Sequence, residues 1–276
     1  MLIVDAQVHI WGADTPQRPW PAGQAHRAHR PVPFSKDDLL AEMAAAGVDR
    51  AVIVPPSWEG DRNDLALAAA QAHPDEFAVM GRPPLDKPDP HALDHWREQK
   101  GMLGIRVTTA GPGARVLFTQ SEGDWLWQAA GRTGLPVMVS IPGLLPELGR
   151  LAERHPDAKF VIDHLALVRD AKDDAAFGDI ANLVAVARHP NVAAKASALP
   201  RYSSEPHPYR RLHPYLRRVF DAFGPQRFFW GTDMTGTPCT YRQAVTLFTE
   251  ELPWLNGDDL ELVMGRALCD WLGWEI

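Results

Sequence analysis

The sequence predicts a single (β/α)₈ barrel of the TIM type, and three observations carry that prediction. First, about eight short apolar runs recur along the chain, each followed by a stretch of helical length and pattern. Second, the runs do not alternate polar with apolar, which is how parallel strands covered on both faces read. Third, a chain of 276 residues has the length of one such barrel. A doubly wound sheet is the structural alternative, but it should carry a glycine-rich first βα turn, and DAQVHIWG has none.

Taken in order, LIVDAQVHI is a buried strand that puts Gln7 and His9, two apart, on one side. A long proline-rich loop follows, Gly12 to Phe34, with Trp20, His26 and His29; a loop of this length is either functional or a floppy insertion, and here it is read as a lid. SKDDLLAEMAAAG is a helix with Ser35 as N-cap, acids in the first turn and Gly47 as its stop. RAVIVPP is a strand before the helix DRNDLALAAAQAH, and FAVMGRPP a strand before the helix DPHALDHWREQ. MLGIRVT precedes EGDWLWQAAGRTG, and LPVMVSIP precedes LLPELGRLAERHP. KFVIDHLA precedes DDAAFGDIANLVAVARHP, and NVAAKAS precedes a helix near Tyr209 to Phe223. RFFWGTD is the last strand, with helices near Tyr241 to Leu252 and Asp258 to Leu272. No linker, low-complexity tract or shift in composition divides the chain, so residues 1–276 read as one domain.

Composition narrows the function. The net charge of −7 supplies no basic stripe for nucleic acid. Cys239 and Cys269 form neither a metal spacing nor a disulfide framework and suit a reduced cytoplasm. The N-terminus lacks the pattern of a signal peptide, and no run approaches the ~18 apolar residues of a membrane span. Nothing in the pattern decides between a monomer and a homo-oligomer.

The informative residues stand at the strands' C-terminal ends, the face on which TIM barrels build their chemistry. They are Gln7 and His9, Ser57 and Trp58, Arg82, Arg106, Ser140, Asp163 and His164, Lys195 and Ser197, and Asp233. Charged side chains are costly in a core unless paired, so their gathering at one rim is the signal. Each alone has a plain reading: Asp233 as a helix cap or turn residue, His164 as a satisfied core histidine, Arg106 and Lys195 as snorkelling surface residues.

DAQVHIW, IDHLA, VAAKAS and WGTDM, in that order, with the terminal LVMGRALCDWLGW, resemble the amidohydrolase superfamily in its amidohydrolase-related (type 2) branch. That branch includes lactonases of 2-pyrone-4,6-dicarboxylate and of sugar acids, the fuconolactonase-like enzymes. The resemblance implies a hydrolase that opens a lactone or related cyclic ester of a small carboxylic acid. In it Asp233 would activate water, with His164 and His9 orienting that water or the developing oxyanion. Gln7, Arg106, Lys195, Arg82, Trp58 and Arg201 are the expected substrate-binding residues, and a small acidic substrate is the expected partner. The family's His-x-His metal pair reads Gln7-x-His9 here, and an amide is a poor zinc ligand. No cofactor is therefore expected. The alternative is one Zn²⁺ or other divalent metal on His9, His164 and Asp233, as in a zinc-dependent hydrolase or decarboxylase. A lactone isomerase and a non-catalytic acid-binding barrel are the remaining alternatives.

Overall fold

The computed structural model describes residues 1–109 and 114–275. Its strands are β1 (Val4–Val8), β2 (Arg50–Ile53), β3 (Phe77–Gly81), β4 (Met102–Thr108), β5 (Val137–Ser140), β6 (Phe160–Ile162), β7 (Val192–Ala196) and β8 (Phe228–Trp230). All neighbours pair in parallel and in sequence order, giving a nearly closed (β/α)₈ barrel. Closure between β8 and β1 uses a side chain as well as backbone. Asp233 N–H donates to the Gln7 carbonyl at 2.9 Å, and Thr232 N–H donates to Asp5 Oδ1 at 2.9 Å. Gly231 lets the two strands approach there, since a Cβ on it would lie 3.1 Å from that of Ala6.

The barrel interior is filled in layers. Val4, Ala6, Val52, Val54, Met80, Met138, Val161, Ala193 and Phe229 pack inside it with Ala267, Leu268, Cys269 and Leu272 of the C-terminal helix, which plugs the end away from the mouth. The strands' other faces pack against the outer helices. One irregularity in β1 sets the direction of two site residues. Asp5 pairs with Ala51 but Val8 with Ile53, so β1 carries one extra residue between them. Val4 and Ala6 belong to the interior cluster, whereas Val8 belongs to the outer one. The bulge reverses the alternation and turns Gln7 and His9 inward.

Three predicted helices take another form, one of them, DDAAFGDIANLVAVARHP, being split into Asp173–Ala176 and Ile180–Val186. Asp89 to Gln99 makes turns and a single 3₁₀ turn, Trp96–Glu98, because Pro88 and Pro90 break the backbone ladder and the Asp89 carboxylate accepts from His91 N–H at 2.9 Å. The last helix is interrupted by a π turn, Leu262–Arg266, where Gly265 passes so close to β1 that a Cβ would lie 2.7 Å from Val4. The Ser35-capped helix forms as predicted, Lys36–Ala46, with a complete capping box and Gly47 in the left-handed region. Among the described residues, no helix is long and apolar enough to cross a membrane.

Candidate active site

At the mouth the backbone bends sharply after β6 and β8. His164, Leu165 and Ala166 have φ of 51°, 54° and 55°, and Asp233 has φ of 51°. Such values are unusual for side chains with a Cβ and cost about 1 kcal/mol or more each. They turn His164 and Asp233 over the barrel axis rather than along the strands.

The result is a cavity of ≈ 370 Å³ lined by Gln7, His9, His29, His164, Arg201 and Asp233, among others. Asp233 Oδ1 lies 3.2 Å from His9 Nε2 and 3.8 Å from His29 Nδ1. Its Oδ2 lies 3.8 Å from both His164 Nε2 and an Arg201 Nη2. Burial alone would raise the Asp233 pKa, but His9, His29 and His164 outweigh it and hold the carboxyl well below the usual range. Burial pushes His164 down to about 4 and His29 down to about 3, the nearby Asp233 opposing it in both. Both imidazoles are therefore neutral at pH 7.

The tautomers follow from their partners. His9 Nδ1 donates to the Val54 carbonyl, which can only accept, so Nε2 is the ring atom left to face Asp233 Oδ1. His164 Nδ1 sits 2.7 Å from Ser197 Oγ. Gln7 Nε2 stands between the two rings, 3.3 Å from His9 Nε2 and 3.4 Å from His164 Nε2. The amide cannot point the other way, because Lys195 Nζ donates to Gln7 Oε1 at 2.6 Å and an ammonium has no acceptor. Asp233 Oδ1 is buried, and its nearest charged or titratable neighbour is His9 Nε2.

Beneath this layer lies an enclosed ionic chain. Lys195 Nζ is 2.7 Å from Asp163 Oδ1, and Arg106 Nε donates to Asp163 Oδ2 at 3.0 Å. Burial would raise the Asp163 pKa, but Lys195 and Arg106 together hold it low and the carboxylate stays ionised. Lys195 is wholly enclosed, and it meets the cavity lining through Gln7 and Asp163. Of the other expected binding residues, Arg106, Trp58 and Arg201 line the cavity. Arg82 lines an adjoining one instead.

Arg27, His29, Arg115, Arg169 and Tyr202 also line the cavity and were not among the candidates read from sequence. The lid delivers the first two. Its ends are pinned by Trp11 N–H on the Phe34 carbonyl at 3.0 Å, and its middle by Arg18 on Glu59 at 2.7 Å. His29 then packs on Trp58, ring centroids 4.8 Å apart, with Nδ1 3.0 Å from Thr235 Oγ1. The loop's histidines were visible in sequence, but which of them turns inward depends on those distant anchors. Gly236 leaves room for them: a Cβ there would fall 2.0 Å from an Arg201 nitrogen and 2.8 Å from the His29 ring.

The family model described as Amidohydrolase matches residues 4–264. The chain is 29% identical to an L-fucono-1,5-lactonase of Burkholderia ambifaria, over 83% of this chain and 79% of that protein. It is 25% identical to a 4-sulfomuconolactone hydrolase of Hydrogenophaga intermedia, over 83% and 73% respectively. Among solved structures, an amidohydrolase from Burkholderia multivorans with bound zinc superposes with a TM-score of 0.78, at 21% identity over 99% of each chain.

Proposed function

Because the chain belongs to this amidohydrolase family and is a lactonase-type hydrolase, we propose that it opens a lactone of a small carboxylic acid with water activated by Asp233 and with no metal taking part. The observation that carries the reading is the ionised Asp233 carboxylate, set 3.2 to 3.8 Å from three imidazoles and Arg201 in the lining of one cavity. Water placed beside it gives up a proton to the carboxylate as its oxygen adds to the lactone carbonyl carbon. Negative charge moves to the former carbonyl oxygen, where the Arg201 guanidinium is the available donor. Collapse breaks the ring C–O bond, and the alkoxide takes back the proton held by Asp233. His9 Nε2, 3.2 Å away, can share that proton in the interval. A carboxylate with a depressed pKa is a weak base at rest. An anionic substrate closing the mouth raises it again, since like charge disfavours the ionised form.

The donor set supports a metal-free site. Asp233 lies 3.2 Å from His9 Nε2 and 3.8 Å from His164 Nε2, and this proximity is the case for the rival zinc hydrolase or decarboxylase. But the fourth group beside them is the Gln7 NH₂, held donor-first by Lys195, and a donor cannot ligate a cation.

The test is turnover of carboxylated γ- and δ-lactones by wild type and Asp233→Asn, with elemental analysis of protein purified without chelator. The expected result is a loss of about 10²- to 10⁴-fold in kcat, the usual share of general acid–base catalysis. Wild-type activity is expected to survive chelator. Equal rates in the two proteins overturn the base assignment, and activity tied to stoichiometric zinc overturns the metal-free reading.

A further inference from the structure

One polar side chain of the cavity wall has no part in the steps above. Tyr202 lines the catalytic cavity, yet it is only 3% exposed and its ring belongs to the apolar core cluster. Its hydroxyl makes no hydrogen bond among the described residues. A ring needed for packing alone would be served by phenylalanine, which fills the same space and has no hydroxyl to satisfy. Burial pushes the Tyr202 phenol up to about 12, with Arg201 opposing the shift and Asp233 adding to it. The phenol is therefore protonated at neutral pH and keeps its O–H to donate.

The backbone that carries Tyr202 is held at several points. Just after β7, Ala198 takes a left-handed conformation, φ 57°, and turns the chain into the 3₁₀ turn Leu199–Tyr202. Ala198 N–H donates to the Thr232 carbonyl at 3.1 Å, which ties this turn to the residue before Asp233. Arg201 N–H donates back to the Ala198 carbonyl at 3.0 Å. The Lys172 ammonium donates to the carbonyls on either side of Tyr202, that of Arg201 at 2.7 Å and that of Ser203 at 3.1 Å. The Arg201 guanidinium is fixed in turn, its Nε and Nη2 donating to the Gly236 carbonyl at 3.1 and 2.6 Å. Two consecutive donors thus stand on one braced turn, and the first reaches within 3.8 Å of Asp233 Oδ2. Donors fixed before the reaction need no reorganisation as charge develops.

We infer that Tyr202 is a catalytic residue of this site: its phenolic O–H donates, beside the Arg201 guanidinium, to the anionic oxygen that forms when water adds to the ester carbonyl. The proton stays on the phenol throughout. The hydrogen bond strengthens as the carbonyl oxygen takes on charge and slackens as the ring C–O bond breaks. A second donor fixes the place of an oxyanion that a single guanidinium would leave free to swing. The inference rests on the lactonase reading for the reaction but not for the donor, since any anionic tetrahedral oxygen bound beside Arg201 would meet the same hydroxyl.

The experiment compares the whole protein as wild type and Tyr202→Phe. Calorimetry with two unreactive rings reads the donor without turnover. One is a six-membered cyclic phosphonate bearing a carboxylate, which presents anionic tetrahedral oxygens; the other is the tetrahydropyran carboxylate of the same size, which has none there. Wild type is expected to hold the phosphonate about tenfold or more tighter than the ether. Tyr202→Phe should lose about tenfold or more on the phosphonate and less than about twofold on the ether, as a hydrogen bond to a charged acceptor requires. In turnover of a carboxylated lactone its kcat should fall about 10²-fold with KM within about twofold, the effect of removing one oxyanion donor. Its thermal midpoint should equal or exceed that of wild type, because no hydrogen bond of the folded protein is lost. Unchanged phosphonate affinity in the variant overturns the proposal, as does a wild type that holds the phosphonate no tighter than the ether. A lower midpoint with equal weakening of both rings marks a hydroxyl that serves the fold, and also overturns it. The two ideas fail separately. A wild type that opens lactones while Tyr202→Phe keeps its kcat retains the hydrolase reading and loses this donor. A wild type that opens none, but whose hold on the phosphonate depends on Tyr202, loses the hydrolase reading and keeps the donor.

Discussion

Two regions of this barrel bury carboxylates completely and treat them in opposite ways. At the β8–β1 seam, Asp5 is surrounded by neutral donors: Gln7 N–H at 2.9 Å, Thr232 N–H at 2.9 Å, Tyr241 Oη at 2.8 Å and the Thr232 hydroxyl. Burial pushes its pKa up to about 6, and the four hydrogen bonds recover only part of the shift. At the mouth, Asp163 and Asp233 are as deeply buried, yet cations and imidazoles hold both low. Burial alone therefore does not decide protonation in this protein; the charge of the neighbours does. The seam uses a carboxylate as a mortise between strands, and the mouth uses carboxylates as fixed charge.

The contrast can be broken most sharply at Lys195→Met. Removing the ammonium leaves Asp163 with Arg106 alone and frees the Gln7 amide to turn. A loss of about 3–5 kcal/mol in unfolding free energy is expected, the usual result of removing one partner of a buried pair. Urea denaturation measures it, and a loss below 1 kcal/mol would mean that Lys195 is not paired as described.

Asp5→Asn sharpens the comparison through pH. The folded pKa lies above the unfolded one, so the Asp5 term costs stability above pH 6 and is relieved as pH falls from about 6 toward 4. That relief amounts to about 3 kcal/mol at most, from 1.36 kcal/mol per pKa unit. The mouth carboxylates have the opposite sign: their depressed pKa values contribute stability above about pH 4 that is lost in stronger acid. The difference in stability between wild type and Asp5→Asn should change between pH 4.5 and 7, and a constant difference would refute the raised pKa.

The smallest effect is expected at Ser197→Ala, which removes the hydroxyl on His164 Nδ1. One neutral hydrogen bond is worth about 0.5–1.5 kcal/mol, so kcat should fall about two- to tenfold with KM little changed. A larger change in KM than in kcat would place His164 in substrate binding rather than in orienting the reacting groups.

Much of this was written in the sequence. Unalternated strands spaced by helices gave the barrel, because parallel strands are covered on both sides and need a helix to cross back. The polar residue after each strand marked the mouth, and Gln7 beside His9 marked the altered ligand pair. Other features had no local trace. The bulge that turns Gln7 and His9 inward exists only in pairing with β2. The amide's direction depends on Lys195, 188 residues away. The inward turn of Arg27 and His29 depends on anchors outside their loop. Periodicity is a property of neighbours along the chain, so it fixes the elements and their order; electrostatics acts through space, so which charges meet was decided only when the barrel closed.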